Sequence, residues 1–279
     1  MMRNYRRIAV RRIAGALGAE IEGVDLARGI DAETAGEVRQ ALLDHLVIFL
    51  REQECTPAQQ LAFAKHFGAP MAYPQLKGLP EMPLITPVVK LEHERHNFGG
   101  VWHSDTTYLD EPPMGSMLLA REVPPFGGDT LFANQYLAYE ALSEGLKRTL
   151  DGLKGVSSSA KAEVSRTRED RLKEAGQELK VLTAEHPLVR THPETGAKAL
   201  YTSDAHTVRI AGWTDVESEP LLRYLWAHQT RPEFTCRFAW RVGSLAFWDN
   251  RAAMHNPVND YHGHRRVMHR ITLAGDRPR

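Results

Sequence analysis

The chain has 279 residues, long enough for one large domain with a sizeable buried core. Its 35 Lys and Arg residues balance 35 Asp and Glu residues, so no net positive charge attracts a phosphate backbone, and nucleic acid is not an expected partner. The two cysteines, Cys55 and Cys236, are too few for a disulfide framework or a cysteine-built metal site.

The N-terminal segment, residues 1–21, is rich in arginine but has no apolar stretch long enough for a signal peptide or a membrane span. We therefore expect a cytoplasmic protein with no membrane association. No internal repeat or low-complexity tract divides the sequence. A single domain over residues 1–279 is the simplest organisation.

The first third of the chain predicts a mixture of strands and helices. Residues 13–26 combine small and apolar residues with glycines, which is typical of short strands around turns. Residues 31–45 have apolar side chains at helical spacing with acidic residues near the start. The apolar run 46–50 predicts a buried strand. Residues 56–68 predict a helix that begins after the N-cap Thr56.

The central part alternates between irregular segments and regular elements. Residues 69–101 predict a long loop, rich in proline and glycine, with one strand at about 83–89. Residues 115–123 predict a strand, and residues 135–153 predict a helix. The polar and charged stretch 157–176 predicts a mobile insertion or lid.

The C-terminal third is dominated by predicted strands. Two strands flank the PETG turn within 186–202, a helix covers 215–230, a hairpin turns at VGS within 234–250, and a closing strand covers 265–275. This order favours a mainly β, α+β fold in which a curved double sheet is flanked by helices. The sequence has no GxGxxG or Walker-type loop that would argue for a doubly wound fold.

The motif WHSD places a histidine and an aspartate two positions apart. In an extended segment His103 and Asp105 project from the same face. One imidazole and one carboxylate are two thirds of the facial triad of non-haem Fe(II) oxygenases, whose third ligand is a histidine from elsewhere. Considered on its own, the motif favours the simpler interpretation, a hydrogen-bonded pair in a loop.

The segment 247–275 offers partners for this motif. It contains His255, then Arg266 eleven residues later and Arg270 four residues beyond that. In an extended strand Arg266 and Arg270 share one face, so both could point into a barrel. Buried guanidiniums are costly unless anions meet them, and arginine pairs with carboxylates or sulfonates through two hydrogen bonds. The pattern therefore indicates bound anions.

Several motifs in order carry a resemblance to a known family: WHSDTTYLDEPP, PPFGGDTLF, HPLVRTHPETGAKALY, WDNRAAMH and RRVMHRITLAGDRP. Over nearly its whole length the chain resembles the Fe(II)- and 2-oxoglutarate-dependent dioxygenases related to taurine dioxygenase and the aryloxyalkanoate (2,4-dichlorophenoxyacetate-type) dioxygenases. The resemblance implies a double-stranded β-helix core (a jelly roll, cupin-like) flanked by helices.

The resemblance also implies a reaction and a set of roles. Dioxygen and 2-oxoglutarate would be consumed to give succinate and CO2, with hydroxylation of a substrate C–H bond. An aspartate at position 105 favours hydroxylation over halogenation. The matching positions are His103, Asp105 and His255 for Fe(II), Thr130 and Arg266 for 2-oxoglutarate, and Arg270 for the anionic end of the substrate.

The chain departs from the taurine pattern around the substrate. The positions that contact taurine in that pattern fall near Tyr73, Gly99 and His206. Tyr73 and His206 are candidate substrate-binding residues, and Arg270 is retained. The departures weaken the case for taurine and leave a substrate class: a sulfonate, an alkyl sulfate ester or an aryloxyalkanoate.

Two other functions use similar residues. A zinc hydrolase could use two histidines and one aspartate with an activated water, and a non-catalytic jelly-roll binding protein could keep the barrel alone. The HGHRRVMH run, with His262, His264 and His269, could mimic a zinc cluster, although a polar turn that enters the last strand is the simpler interpretation. By analogy with the family we expect a homo-oligomer, a dimer or a tetramer.

Overall fold

The computed structural model of the chain describes residues 5–74, 76–161 and 180–279. The helices in these ranges are α1 (Ala32–His45), α2 (Pro57–Ala64), α3 (Gln135–Glu140), α4 (Glu144–Leu150) and α5 (Asp215–Gln229). The strands of the first half are β1 (Ala9–Arg12), β2 (Ala19–Glu22), β3 (Val47–Leu50), β4 (Pro70–Met71), β5 (Ile85–Lys90), β6 (Gly115–Glu122), β7 (Thr130–Asn134) and β8 (Lys154–Ser158). The strands of the second half are β9 (Thr183–Pro187), β10 (Val189–Thr191), β11 (Lys198–Leu200), β12 (Thr207–Ile210), β13 (Thr235–Phe238), β14 (Leu245–Asp249), β15 (Ala253–Pro257) and β16 (Arg266–Leu273).

Two sheets form the core of the fold. The larger sheet has the strand order β1-β2-β3-β14-β6-β16-β4, with β5 also paired to β16, and the smaller sheet has the order β13-β7-β15. Strand pairing in both is antiparallel except between β2 and β3. Side chains from the two sheets pack together in one hydrophobic cluster, which includes Phe49, Phe132, Phe238, Trp248 and Met268. The predicted double-stranded β-helix flanked by helices is confirmed.

Strand β3 shows how an uninterrupted apolar run fits this architecture. Val47 and Phe49 point into the space between the sheets, while Ile48 and Leu50 pack in the layer beneath α1 and α2. Successive side chains of a strand project to opposite faces, so a strand buried on both faces must be apolar at every position. The alternation leaves the inter-sheet space closed except where polar residues line it.

Two predicted elements were wrong in their connectivity. The segment 234–250 is not a hairpin, because β13 pairs with β7 in the smaller sheet and β14 pairs with β3 and β6 in the larger one. The chain crosses between the sheets there, as a jelly roll requires. The predicted helix 135–153 is two helices, because Ser143 ends the first and caps the second by accepting a hydrogen bond from the Leu146 N–H at 3.2 Å.

Other predictions hold with shifted bounds. The helix 215–230 is observed as α5, which continues through Pro220. The strand within the loop 69–101 is β5, and β10 and β11 pair around the PETG turn. The predicted mobile insertion 157–176 begins too early, because Ser157 and Ser158 belong to β8, and its residues 162–176 lie outside the described residues. None of the described helices is both long and apolar enough to cross a membrane.

Candidate active site

Backbone pairing brings two histidines from distant parts of the chain together. His103 lies in the segment before β6, and His255 lies on β15. The His103 N–H donates to the His255 carbonyl at 3.0 Å, and the His255 N–H donates to the His103 carbonyl at 2.8 Å. The two imidazole centroids are 4.1 Å apart. Residues 152 positions apart in sequence, the difference between 255 and 103, therefore become neighbours through one small bridge between strands.

Asp105 completes a cluster of three metal-binding side chains. Its Oδ1 atom lies 3.7 Å from Nε2 of His103 and 3.7 Å from Nε2 of His255. One donor atom from each residue lies within 4.8 Å of the others, and all three residues are buried. Oδ1 has no hydrogen-bond partner among the described residues. Three converging donors with a buried carboxylate oxygen left unpaired fit a divalent cation.

Hydrogen bonding fixes the form of His103 that can bind a metal. Its Nδ1 atom lies 2.7 Å from the Val101 carbonyl oxygen, which can only accept, so Nδ1 carries the proton and Nε2 presents its lone pair. Burial lowers the pKa of His103, and it lowers the pKa of His255 well below the usual value of 6.5. Both imidazoles are therefore neutral at pH 7, as metal ligation requires.

The second carboxylate oxygen of Asp105 is held by two donors. Ser116 Oγ donates to Oδ2 at 2.8 Å, and Arg270 Nη2 lies 2.5 Å from the same atom. Burial acts to raise the pKa of Asp105, but the Arg270 guanidinium and then the two histidines outweigh it and hold that pKa far below its usual range. Asp105 is an anion at any pH at which the protein functions.

Asn250 and Ser116 position this carboxylate from behind. Asn250 Oδ1 accepts hydrogen bonds from the Asp105 backbone N–H at 3.3 Å and from Trp248 Nε1 at 2.9 Å, and its amide nitrogen donates to Ser116 Oγ at 3.3 Å. The sequence gave reason to expect Asn250 in a structural turn, but Ser116 was missed. The available signal was a hydroxyl within the otherwise apolar start of β6, where a buried polar group needs a partner.

The turn WDNR is fixed by a buried ion-pair network. Asp249 accepts from His192 Nε2 at 3.0 Å and from Arg251 Nη2 at 2.7 Å, and Arg251 Nη1 contacts Glu194 at 2.7 Å. Burial acts to raise the pKa of Asp249, but its bonds to Arg251 and His192 outweigh it and hold that pKa far below its usual range. The predicted local role of Asp249 and Asn250 is confirmed, and it extends to His192.

A cavity extends from the histidine pair into the space between the sheets. Arg266 and Thr130 both line it. Thr130 Oγ1 accepts a hydrogen bond from Trp240 Nε1 at 3.0 Å, which leaves the hydroxyl proton available to a ligand. The remaining lining is Val88, Phe98, His103, Leu118, Phe132, Trp240, Trp248, His255, Pro257 and Arg270.

Arg266 is buried without a counter-ion. Its side chain is 5% exposed, and its Nε and Nη2 atoms have no hydrogen-bond partner among the described residues. Burial lowers its pKa, with Tyr261 and Asp129 acting in the opposite direction. Orphaned guanidinium donors beside an available hydroxyl fit the carboxylate of a bound dicarboxylic acid. The residues present therefore fit 2-oxoglutarate as well as the metal.

The structure also brings the two candidate substrate residues to this site. The Tyr73 ring centroid lies 4.6 Å from the Arg270 guanidinium carbon. The His206 ring lies 5.9 Å from that of His103, and its Nδ1 is 3.2 Å from Thr107 Oγ1. Both residues are buried beside the triad.

Gly99 fills the third departure from the taurine pattern for a steric reason. Its φ angle is +71°, and a Cβ atom at this position would lie 2.9 Å from His103 Cε1. A side chain is excluded twice, by the backbone conformation and by the imidazole. The space beside His103 is therefore bounded by backbone alone.

The HGHRRVMH run does not form a metal cluster in the described part of the chain. The group of three or more His, Cys, Asp or Glu residues with converging donor atoms found there is His103, Asp105 and His255. His269 instead accepts a hydrogen bond from Arg121 Nε at 3.2 Å. The simpler interpretation of a polar turn that enters β16 is the one observed.

A jelly-roll core with a buried His-Asp-His cluster and an unpaired inward arginine defines a non-haem Fe(II)- and 2-oxoglutarate-dependent dioxygenase. Comparison with protein families agrees, because the model for "Taurine catabolism dioxygenase TauD, TfdA family" matches residues 9–272. The chain belongs to this family. It is an oxidoreductase that uses Fe(II), 2-oxoglutarate and O2.

Three similar proteins cover almost the whole chain. An alkylsulfatase of Acinetobacter baylyi is 36% identical over 97% of this chain and 86% of its own length. An alpha-ketoglutarate-dependent sulfate ester dioxygenase of Pseudomonas putida is 37% identical over 96% of this chain and 90% of its own. The crystal structure of a taurine dioxygenase from Burkholderia xenovorans is 41% identical, with a TM-score of 0.83 over 98% of this chain and 93% of that chain.

Proposed function

We propose that this dioxygenase hydroxylates a carbon atom next to a heteroatom in a small organic anion, and that the preferred substrates are alkyl sulfate esters. The observation that carries the proposal is the buried guanidinium of Arg270, 5% exposed, beside the metal-binding cluster. Its Nε atom has no hydrogen-bond partner among the described residues. A sulfate monoester offers several acceptor oxygens and one negative charge to such a group.

The residues divide into three sets with distinct roles. His103, Asp105 and His255 hold Fe(II), which when bound supplies the activation of dioxygen that C–H hydroxylation requires. Arg266 and Thr130 bind the distal carboxylate of 2-oxoglutarate. Separate sites for the two anions let one substrate carbon lie beside the metal while the co-substrate fills the inter-sheet cavity.

Arg270 and Tyr73 orient the substrate anion, with His206 as a further contact. Tyr73 stacks beneath the guanidinium, which keeps it planar to its neighbours and shields it from water. Excluding water strengthens each charge-assisted hydrogen bond to the substrate. A fixed anionic end places the adjacent carbon at one distance from the triad, so the site determines which C–H bond reacts.

The product follows from the position of hydroxylation. If the hydroxylated carbon carries the ester oxygen of a sulfate, the product is a hemiacetal-type compound that releases sulfate and leaves an aldehyde. The relatives at 36% and 37% identity carry names that refer to sulfate ester chemistry. That agreement favours sulfate esters over sulfonates, in which the same step would release sulfite.

A zinc hydrolase is not supported. Such an enzyme would have no use for a buried arginine with unpaired donors on the inner face of the barrel. Nor is a non-catalytic binding protein supported, because all three metal-binding residues are present and converge. The single-domain organisation, the cytoplasmic location and the dimer or tetramer stay predictions, and sedimentation of the purified protein would measure the oligomeric state.

The test is a substrate panel with succinate as the readout. Fe(II)-loaded protein is supplied with 2-oxoglutarate, oxygen and, in parallel, a linear alkyl sulfate, taurine, an alkanesulfonate and an aryloxyacetate. We expect the alkyl sulfate to give the highest kcat/KM, with one sulfate and one aldehyde formed per succinate. A higher kcat/KM for a sulfonate or an aryloxyacetate would contradict the assignment to sulfate esters while leaving the dioxygenase intact.

A further inference from the structure

A lysine lies directly across the sheet from Arg266. Lys90, the last residue of β5, is the register partner of Arg266 at the start of β16. Side chains of directly opposed residues in an antiparallel pair project from the same face. Val88, two positions earlier on β5, lines the cavity that contains Arg266 and Thr130. Lys90 therefore belongs to the inner face of the sheet, at the Arg266 end.

Lys90 is buried and lacks a hydrogen-bond acceptor. Its side chain is 3% exposed, and Nζ has no hydrogen-bond partner among the described residues. Nζ lies 4.2 Å from the centroid of the Tyr261 ring, and the Tyr261 hydroxyl donates to Asn97 Oδ1 at 2.8 Å. The ring places the ammonium without neutralising it.

The two neighbouring cations have no carboxylate partner of their own. In the described part of the chain, no carboxylate lies within 4.0 Å of the charged nitrogens of Lys90 or Arg266. Burial lowers the pKa of Lys90, with Glu94 acting in the opposite direction from beyond ion-pair distance. Two buried positive charges on one face destabilise each other unless an anion is present. A carboxylate bound by Arg266 lies where it can offset both charges.

We propose that Lys90 is a second cationic determinant of the co-substrate site, and that it makes the enzyme select a 2-oxo dicarboxylate over a 2-oxo monocarboxylate. The inference rests on the proposed role of Arg266. Arg266 supplies the directional pair of hydrogen bonds to the distal carboxylate. Lys90 supplies a compact second charge that a monocarboxylate cannot use.

The test measures co-substrate binding without turnover. Fe(II)-loaded protein is titrated anaerobically with 2-oxoglutarate, and the visible absorption band of the chelate reports the Kd. The titration is repeated with pyruvate, which has the same 2-oxo acid end and no distal carboxylate. The variants are Lys90→Met, which keeps the apolar stem on Tyr261, Lys90→Gln, which keeps a polar end, and the exposed control Lys65→Met.

We expect both Lys90 variants to raise the Kd of 2-oxoglutarate about tenfold or more, since they lose a charge-assisted contact. The Kd of pyruvate and the Lys65→Met titrations should stay at the unaltered protein's values. Because pyruvate shares the metal and the fold, its unchanged Kd separates a lost distal contact from damage to the site.

Three results would overturn the inference. If the Kd of 2-oxoglutarate is unchanged in both variants, Lys90 only packs against Tyr261. If the Kd values of pyruvate and 2-oxoglutarate rise together, the lysine supports the fold and not the distal carboxylate. If the unaltered protein binds 2-oxoglutarate no better than pyruvate, the proposed role of Arg266 fails first and that of Lys90 fails with it.

Discussion

The Nη2 atom of Arg270 lies 2.5 Å from Oδ2 of Asp105, so the arginine proposed to bind the substrate anion contacts the carboxylate proposed to bind the metal. Ser116 Oγ touches both side chains, donating to Asp105 at 2.8 Å and accepting from Arg270 at 3.1 Å. An anion that pairs with Arg270 must share these donors or displace part of the contact. Substrate binding and the environment of the metal ligand are therefore linked through one arginine.

Replacement of Arg270 by leucine should separate the two anion sites. The variant loses the substrate contact, and we expect KM for the organic anion to rise about a hundredfold, since a buried charge-assisted pair is lost. The Kd of 2-oxoglutarate should change far less, because Arg266 and Thr130 are untouched. Steady-state kinetics with each substrate varied in turn will measure both effects. Arg265→Leu, at the half-exposed neighbour, is the matched control; an equal rise for both substrates would argue against a dedicated role.

Replacement of Ser116 by alanine should weaken metal binding without removing a metal ligand. Asp105 Oδ2 would keep only Arg270, and the Asn250 amide would lose its acceptor. Loss of such outer contacts usually lowers metal affinity by about 10- to 100-fold. Competition with a chromogenic chelator will give the Fe(II) affinity, and KM for 2-oxoglutarate measured at saturating Fe(II) should be little changed. An unaltered Fe(II) affinity would show that Ser116 is a packing residue.

Replacement of His255 by alanine should abolish succinate formation and reduce Fe(II) affinity by orders of magnitude, because one of three metal ligands is lost. His262→Ala is the matched control, since His262 is exposed in the turn that precedes β16. Circular dichroism will show that both variants are folded. Retained activity in His255→Ala, or an equal loss in His262→Ala, would refute the ligand assignment.

The metal-free protein should lose stability as the pH falls from about 7 to 5. Burial lowers the pKa values of His103 and His255, so between the folded and unfolded values the unfolded chain binds more protons. Each such histidine then contributes a loss of up to about 1.4 kcal/mol per pH unit below its unfolded pKa. The Asp105 contribution is kept until the pH falls below about 4, because its folded pKa is depressed.

Urea unfolding at several pH values will measure this dependence. The His255→Ala variant should show a shallower slope than the unaltered protein, because one titrating group is gone. An identical slope in the two proteins would mean that His255 is not neutral in the folded metal-free state. Saturating metal should steepen the dependence, since protons compete with the cation for the same nitrogen atoms.

The sequence alone determined those features that depend on local chemistry and spacing. The capping residues Thr56 and Thr214 begin α2 and α5 as expected, and the alternation in β16 places Arg266 and Arg270 on the buried face. Both are consequences of backbone geometry that a short segment specifies. The order of His103, Asp105, His255 and the two arginines along the chain was enough to indicate the family.

The tertiary structure decided which of these segments meet. The six residues between β13 and β14 cross from one sheet to the other, and local pattern could not distinguish this from a hairpin. Pairing of His103 with His255, the contact of Ser116 with Asp105, and the position of Lys90 beside Arg266 all depend on strand register between distant segments. Register is set by the packing of whole sheets, so a single sequence contains it only through contacts that no local pattern displays.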